Sequence, residues 1–168
     1  MMRLSAEYFR SLYLEQGPRA QGFFLRMTGY NRELARDLTQ ELFMRLWSGR
    51  DKYDPNRQFS TWMFAIAYNM LKNEYRRQMT IMEYLESVDM TEPITDFDAL
   101  EEEQRNRILC DAVQHLPELQ KVVFMLRYEE EMPLAEIAKV CDIPEGTVKS
   151  RLFCALTAVR EYCRKINN

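Results

Sequence analysis

In the stretch "NRELARDLTQELFMRLWSG", residues 31–49, Leu34, Leu38, Leu42 and Leu46, with Phe43 beside them, recur at the spacing of one helical face. An amphipathic helix is predicted there, with Gly49 as its stop. Its other face carries Asp37, Gln40, Glu41 and Arg45, which suit either solvent or a partner helix. After the polar break "RDKYDPNRQ" comes "FSTWMFAIAYNMLKNEYRRQ", a second predicted helix with Ser60 or Thr61 available as N-cap. Met63, Ile66, Ala67 and Met70 form one apolar stripe on it, and Phe64, Tyr68, Leu71 and Tyr75 form another, so most of its surface belongs to a core. The remaining strip holds Trp62, Ala65, Asn69, Lys72 and Arg76, with Asn73 and Arg77 alongside. A ring that can stack on an unpaired base, amides that can bond base edges and cations that can meet phosphates suit nucleic acid. An equally weighted alternative puts Trp62 in the core and leaves the cations solvated.

Further along, "QRNRILCDAVQHL" predicts a helix with Leu109, Ala112, Val113 and Leu116 inward, and Pro117 opens the next, "PELQKVVFMLRYE". Beyond residue 133, Leu134, Ile137, Ala138, Ile143, Val148 and Leu152 allow two short helices to cross closely, the pattern of a helix-turn-helix. Asp142 is expected to cap the second of these, with Glu145 reaching back in a capping box. Pro144 falls in the first turn, where a missing N–H costs little, and Gly146 leaves backbone bare for a phosphate. With Val148, Leu152, Ala155, Val159 and Tyr162 facing a core, Glu145, Thr147, Lys149, Ser150 and Arg151 remain where a recognition helix meets DNA. Arg can pair with guanine through two bonds, Thr and Ser read more loosely, and Lys suits phosphate. The plainer alternative is a helical hairpin that binds only protein.

Composition supports an all-α chain: five glycines, six prolines and no sustained alternation of apolar and polar residues among 168 positions. The net charge of −3 argues against nucleic acid only until its distribution is considered. Residues 1–80 carry 13 Lys and Arg against 8 Asp and Glu, residues 81–120 carry 2 against 11, and residues 121–168 carry 8 against 7. Two neutral-to-basic blocks therefore flank an acidic middle. That middle, "YLESVDMTEPITDFDALEEEQ", reads as a linker, either a solvated tether or a mimic of nucleic-acid charge. Four cysteines without a C-x-x-C pair and a single histidine, His115, make poor metal-site material, so no metal or cofactor is expected. Nor is there a Ser-His-Asp set or a plausible carboxylate pair, which argues against an enzyme. Without an apolar run of about 20 residues, membrane insertion is not expected and a cytoplasmic location is.

Taken together, "ARDLTQELFMRLW", "FSTWMFAIAYNMLKNEYRR", "LPELQKVVFMLRYEEEMPLAEIAKV" and "DIPEGTVKSRLFCALTAVRE" resemble, in order and spacing, the two domains of bacterial sigma factors of the extracytoplasmic-function group. The resemblance implies a non-catalytic promoter-specificity subunit of RNA polymerase, with domain two over residues 5–80, an acidic linker over 81–104 and domain four over 105–166. It further implies that Asp37, Leu38, Gln40, Glu41 and Phe43 dock on the clamp coiled coil of core polymerase. The loop from Lys52 to Phe59, with Trp62, Asn69 and Asn73, would open the minus-ten duplex and capture a base. The helix-turn-helix would read the minus-thirty-five element and meet the flap. An anti-sigma partner, often membrane-bound in this group, is expected on the same ground. The alternative is a stand-alone helix-turn-helix regulator whose first domain senses or dimerises.

Overall fold

The computed structural model describes residues 4–84 and 101–166, and among these it contains helices and no strand. The chain begins with a helix that apolar spacing does not announce, α1 (Ala6–Met27). Ser5 caps it by accepting the Tyr8 amide at 3.2 Å. Pro18 lies inside α1, removing one amide from the ladder, and the adjacent Gly17 is buried. Gly29 and Tyr30 then take left-handed φ values of 62° and 64°. This reverses the chain so that Asn31 can cap α2 (Arg32–Ser48), accepting the Leu34 amide at 3.1 Å.

A 3-10 turn at Arg50–Lys52 and a polar loop lead to α3 (Phe59–Tyr84). The helix starts earlier than a Ser60 or Thr61 cap would allow: Phe59 is already helical and buried, and the Trp62 amide reaches the Gln58 carbonyl at 3.4 Å. Apolar burial at Phe59 thus overrides the capping preference of the hydroxyls that follow it. Phe23, Phe24 and Met27 of α1 pack with Leu42 and Leu46 of α2 and with Met63, Phe64 and Leu71 of α3, all essentially sealed from water. Each such side chain contributes roughly 1.5–3 kcal/mol on burial. Phe23 meets Phe64 edge-on at 5.2 Å.

The second half consists of α4 (Glu101–Gln114), α5 (Glu118–Tyr128), α6 (Leu134–Cys141) and α7 (Glu145–Ile166). Val122, Val123 and Leu126 of α5 join Ile137 of α6 and Val148 of α7 in its core. Three expectations change here. Leu109 is exposed, because the inward stripe of α4 begins one residue earlier: Ile108 and Ala112 stand four apart on one face, half-buried and buried, and Leu116 is buried in the turn that follows the helix. Asp142 does not cap α7. It sits at φ 52°, ψ 51° as the left-handed C-cap of α6, its amide bonded to the Ala138 and Lys139 carbonyls, so Pro144 directly precedes α7. The helices also reach further into the expected 81–104 linker, α3 to Tyr84 and α4 from Glu101, and the rest of that segment, Pro93 included, lies outside the described residues.

The two halves touch along α3 against α6 and α1 against α5. On the α1 side Arg19 Nε donates to Glu130 at 2.8 Å, with the Glu130 side chain only 7% exposed, and Gln114 donates its amide to the Arg26 carbonyl at 2.9 Å. On the α3 side the Thr61 hydroxyl donates to Glu136 at 2.7 Å.

Candidate nucleic-acid interface

Arg50–Lys52 and the loop after it fold back on the head of α3 and bring three rings together. Tyr53 stacks on Trp62 with centroids 5.1 Å apart and an interplanar angle of 29°, and Phe59 stands edge-on to both at 5.7 Å. The loop is held by its own bonds: Tyr53 donates its hydroxyl to the Arg57 carbonyl at 3.0 Å, and the Asn56 amide reaches Asp54 Oδ1 at 3.0 Å. Burial raises the Tyr53 phenol above its ordinary value, with the nearby Tyr8 and Asp54 adding to the effect, so it stays a neutral donor at neutral pH. A Cβ added at Gly49 would crowd the Arg45 carbonyl at 3.3 Å and meet Trp62 Cζ2 at an ordinary contact distance of 3.7 Å.

Beside this cluster opens a cleft of ≈ 340 Å³ whose walls include Lys52, Arg57, Thr61, Trp62, Ala65 and, from α6, Glu136 and Lys139. Trp62 is therefore half-buried in an aromatic nest and also lines an opening bordered by the cations Lys52, Arg57 and Lys139 and by the carboxylates Asp54 and Glu136. Lys52 is exposed at the rim. Asn69, Asn73, Arg76 and Arg77 lie exposed further along α3, with Arg76 about 21 Å from Trp62 at 1.5 Å per residue. Lys72 instead folds over the Tyr68 ring at 4.8 Å, and Arg77 pairs with Glu74 at 3.1 Å.

In the helix-turn-helix, Glu145, Gly146, Lys149 and Ser150 are exposed and nothing stands within 4 Å of a Cβ placed on Gly146. Ser150 turns its hydroxyl to the Thr147 carbonyl at 3.1 Å, and Thr147 is half-buried. Arg151 departs from the expected outward pose. Three residues after Val148 and four before Ala155, it borders the buried stripe, and its guanidinium interacts with the Tyr68 hydroxyl of α3. Burial raises the Tyr68 phenol, and Arg151 partly offsets that rise. Sequence reasoning did not select Phe153, yet it is 71% exposed on the same outward face, four residues after Lys149. Its spacing to Lys149 and Ser150 was the available signal.

On α2, Asp37, Gln40 and Glu41 are exposed, with Glu41 paired to Arg45. Leu38 and Phe43 are 6% and 5% exposed, so they anchor the helix rather than offer free side chains for docking. The reason is that both fall on the stripe that packs against α1. Phe43 still floors an open hollow of ≈ 410 Å³ walled by Tyr13, Gln40, Met44 and Trp47, aromatic and thioether surface that sequence reasoning did not select. No group of three metal-ligating side chains occurs among the described residues, and no described helix is long and apolar enough to cross a membrane.

Comparison with known proteins matches both halves. A profile for Sigma-70 region 2 covers residues 12–80, and one for Sigma-70, region 4 covers residues 107–159. The chain is 31% identical over 152 residues to the ECF RNA polymerase sigma factor SigW of Bacillus subtilis, covering 84% of this chain and 81% of that protein. It is 32% identical over 130 residues to the ECF RNA polymerase sigma-E factor of Haemophilus influenzae, covering 71% and 69%. Among solved structures it is similar to the sigma factor RpoE in complex with the anti-sigma factor NepR from Bartonella quintana, with TM-score 0.79, 19% identity and 95% and 98% coverage. It is also similar to CnrH in complex with the cytosolic domain of CnrY, with TM-score 0.70, 20% identity and 96% and 90% coverage.

Proposed function

Because the chain belongs to the extracytoplasmic-function sigma factors of RNA polymerase, we propose a division of its surface into three tasks. The exposed face of α2, Asp37, Gln40 and Glu41 around the Phe43-floored hollow, docks on the clamp coiled coil of core polymerase. The cleft beside Trp62 captures a base unstacked from the minus-ten duplex, with Lys52 at the rim and Asn69, Lys72, Asn73, Arg76 and Arg77 following the strand. The helix-turn-helix reads the minus-thirty-five element with Glu145, Gly146, Thr147, Lys149, Ser150 and Arg151, and its apolar side meets the flap. Domain two then spans residues 5–80 and domain four residues 105–166, joined by the acidic segment. The protein works in the cytoplasm and performs no catalysis of its own. An anti-sigma protein completes the set of partners, as in the two solved complexes similar in fold.

The observation that carries this reading is the Tyr53–Phe59–Trp62 cluster at a cleft on α3 whose rim holds Lys52 and Arg57. Extracting a base costs a few kcal/mol, and stacking offsets about 1–3 kcal/mol of it. A chain with pI ≈ 5.4 has little spare phosphate attraction to supply the rest, so it must act from polymerase. Run-off transcription with purified core polymerase on genomic templates tests the proposal: the chain is expected to create start sites that core alone does not use. Absence of stable core binding would overturn it. A stand-alone regulator would instead bind a palindromic duplex tightly without polymerase.

A further inference from the structure

The outward strip of α7 is poor in hydrogen-bonding chemistry. At about 3.6 residues per turn, Gly146, Lys149, Ser150 and Thr157 stand within about 60° of Phe153 around the helix, and Cys154 about 100° from it, all of them exposed. Phe153 lies at the centre of this strip and is 71% exposed. The Ser150 hydroxyl donates to the Thr147 carbonyl at 3.1 Å and the Thr157 hydroxyl to the Phe153 carbonyl at 2.9 Å, so both protons stay within the helix. Cys154 brings a thiol, a weak donor, and Gly146 brings no side chain. Lys149 is left as the strong donor, a flexible point charge suited to phosphate. Arg151 lies about 160° round the helix from Phe153, bordering the buried stripe and turned to the Tyr68 hydroxyl.

The groups that pair with guanine, adenine or cytosine edges in the major groove are arginine, amides and carboxylates, and none stands on this strip between Gly146 and Thr157. A phenyl ring has one base feature to meet there, the C5-methyl group of thymine, which unmodified cytosine lacks. Arg160, exposed and on the same line two turns after Phe153, gives with Lys149 a cation on each side of the ring. That bracketing suits the two phosphate strands that edge a groove and does not suit an apolar protein surface. With nothing within 4 Å of a Cβ placed on Gly146, the first turn can approach a strand closely, and the ring then stands about 10 Å further along the helix, about three base pairs on.

We infer that Phe153 is a specificity-determining residue of the helix-turn-helix: its ring packs on the C5-methyl group of a thymine in the minus-thirty-five element, so promoter choice depends on a methyl contact at that base pair. This rests on the helix-turn-helix reading proposed above.

The test uses holoenzyme formed from the full chain and core polymerase, with fluorescently labelled promoter DNA taken from a start site found by run-off transcription. Each thymine of the minus-thirty-five element, on either strand, is replaced in turn by deoxyuridine, which removes only the C5-methyl group. Wild type is expected to lose about fourfold in affinity at one thymine, the factor that one buried methyl group carries. Phe153→Ala is expected to bind the thymine duplex at least about fourfold more weakly and to lose nothing further when that thymine becomes deoxyuridine. Its melting temperature stays unchanged, because the side chain is exposed. Phe153→Leu keeps part of the methyl effect. Exchanging the same pair for cytosine and for 5-methylcytosine, each opposite guanine, separates the two sources of a C5-methyl group: recovery by 5-methylcytosine extends the contact to methylated cytosine, and its absence confines it to thymine. An element in which no thymine is sensitive to loss of its methyl group overturns the inference. So does a methyl effect that persists in Phe153→Ala, or a Phe153→Ala defect in core binding with duplex recognition intact, which hands the ring to a protein partner. Scrambling the whole element isolates the underlying reading: indifference to scrambling refutes the helix-turn-helix assignment itself, whereas sensitivity to scrambling without methyl dependence refutes only the role of Phe153.

Discussion

If Trp62 captures a base as proposed, replacing it with alanine separates base capture from simple promoter binding. Its ring lies on Tyr53 at 5.1 Å and against Phe59 at 5.7 Å. Truncation therefore removes two ring pairs of about 0.5–1.5 kcal/mol each together with the burial of a half-buried side chain, about 2–3 kcal/mol in all, a fall in Tm of roughly 4–12 °C. Assays are therefore run well below the variant's Tm. A comparable loss falls on the unpaired base, for which one stacking partner is worth about 1–3 kcal/mol. A central value of about 2 kcal/mol corresponds to roughly a thirtyfold drop in strand opening. The assay compares holoenzyme carrying wild-type or Trp62→Ala chain on duplex promoter and on the same promoter with the minus-ten region pre-melted by mismatch. Permanganate reactivity of thymines reports opening, and filter retention reports closed complex. The expected pattern is near-normal closed complex, a strong opening defect on duplex and recovery of most activity on the mismatched template, with Trp62→Phe intermediate. Equal defects on both templates would refute the reasoning, because the ring would then serve only the architecture of the loop.

Three further outcomes are expected. Gln40→Ala with Asp37→Ala, both exposed on α2, should weaken core binding about tenfold with an unchanged denaturation midpoint, as for groups at an interface and outside the core. Asp142→Gly should raise stability by about 1 kcal/mol in urea titration, since Asp142 sits at φ 52° where glycine carries no Cβ penalty. Burial pushes the Cys141 thiol up to about 11, with Arg151 and Lys72 opposing the rise. At pH 8 its thiolate is therefore scarce, and iodoacetamide should modify exposed Cys110 and Cys154 well before Cys141, as mass spectrometry of the labelled peptides will show.

Much of the fold is legible because α2, α3 and the helix-turn-helix bury one face each, so Leu42, Leu46, Met63, Phe64, Val148 and Leu152 announce themselves by helical spacing. Helix α1 is hidden by Gly17–Pro18, a pair that locally reads as a break although tertiary packing of Phe23 and Phe24 sustains the helix through it. At Asp142 a short polar side chain serves two structures, the end of α6 or the start of α7, and the left-handed backbone decides for the first. Of the candidate DNA readers, Lys149 and Ser150 are exposed as spacing predicts, while Arg151 sits on the border of the buried stripe, where a neighbouring helix decides its direction. The seam between the halves has no periodic signature at all. Thr61 and Glu136 are single polar positions 75 residues apart, and only the tertiary fold pairs them.

Gly49 ends α2 with a bare α-carbon at the point where the chain turns toward the aromatic loop. A methyl group added there would crowd the Arg45 carbonyl at 3.3 Å yet only touch Trp62 Cζ2 at an ordinary 3.7 Å. An attempt to firm the helix terminus by substitution at this position would therefore disturb the last turn of α2 and leave the indole where it stands.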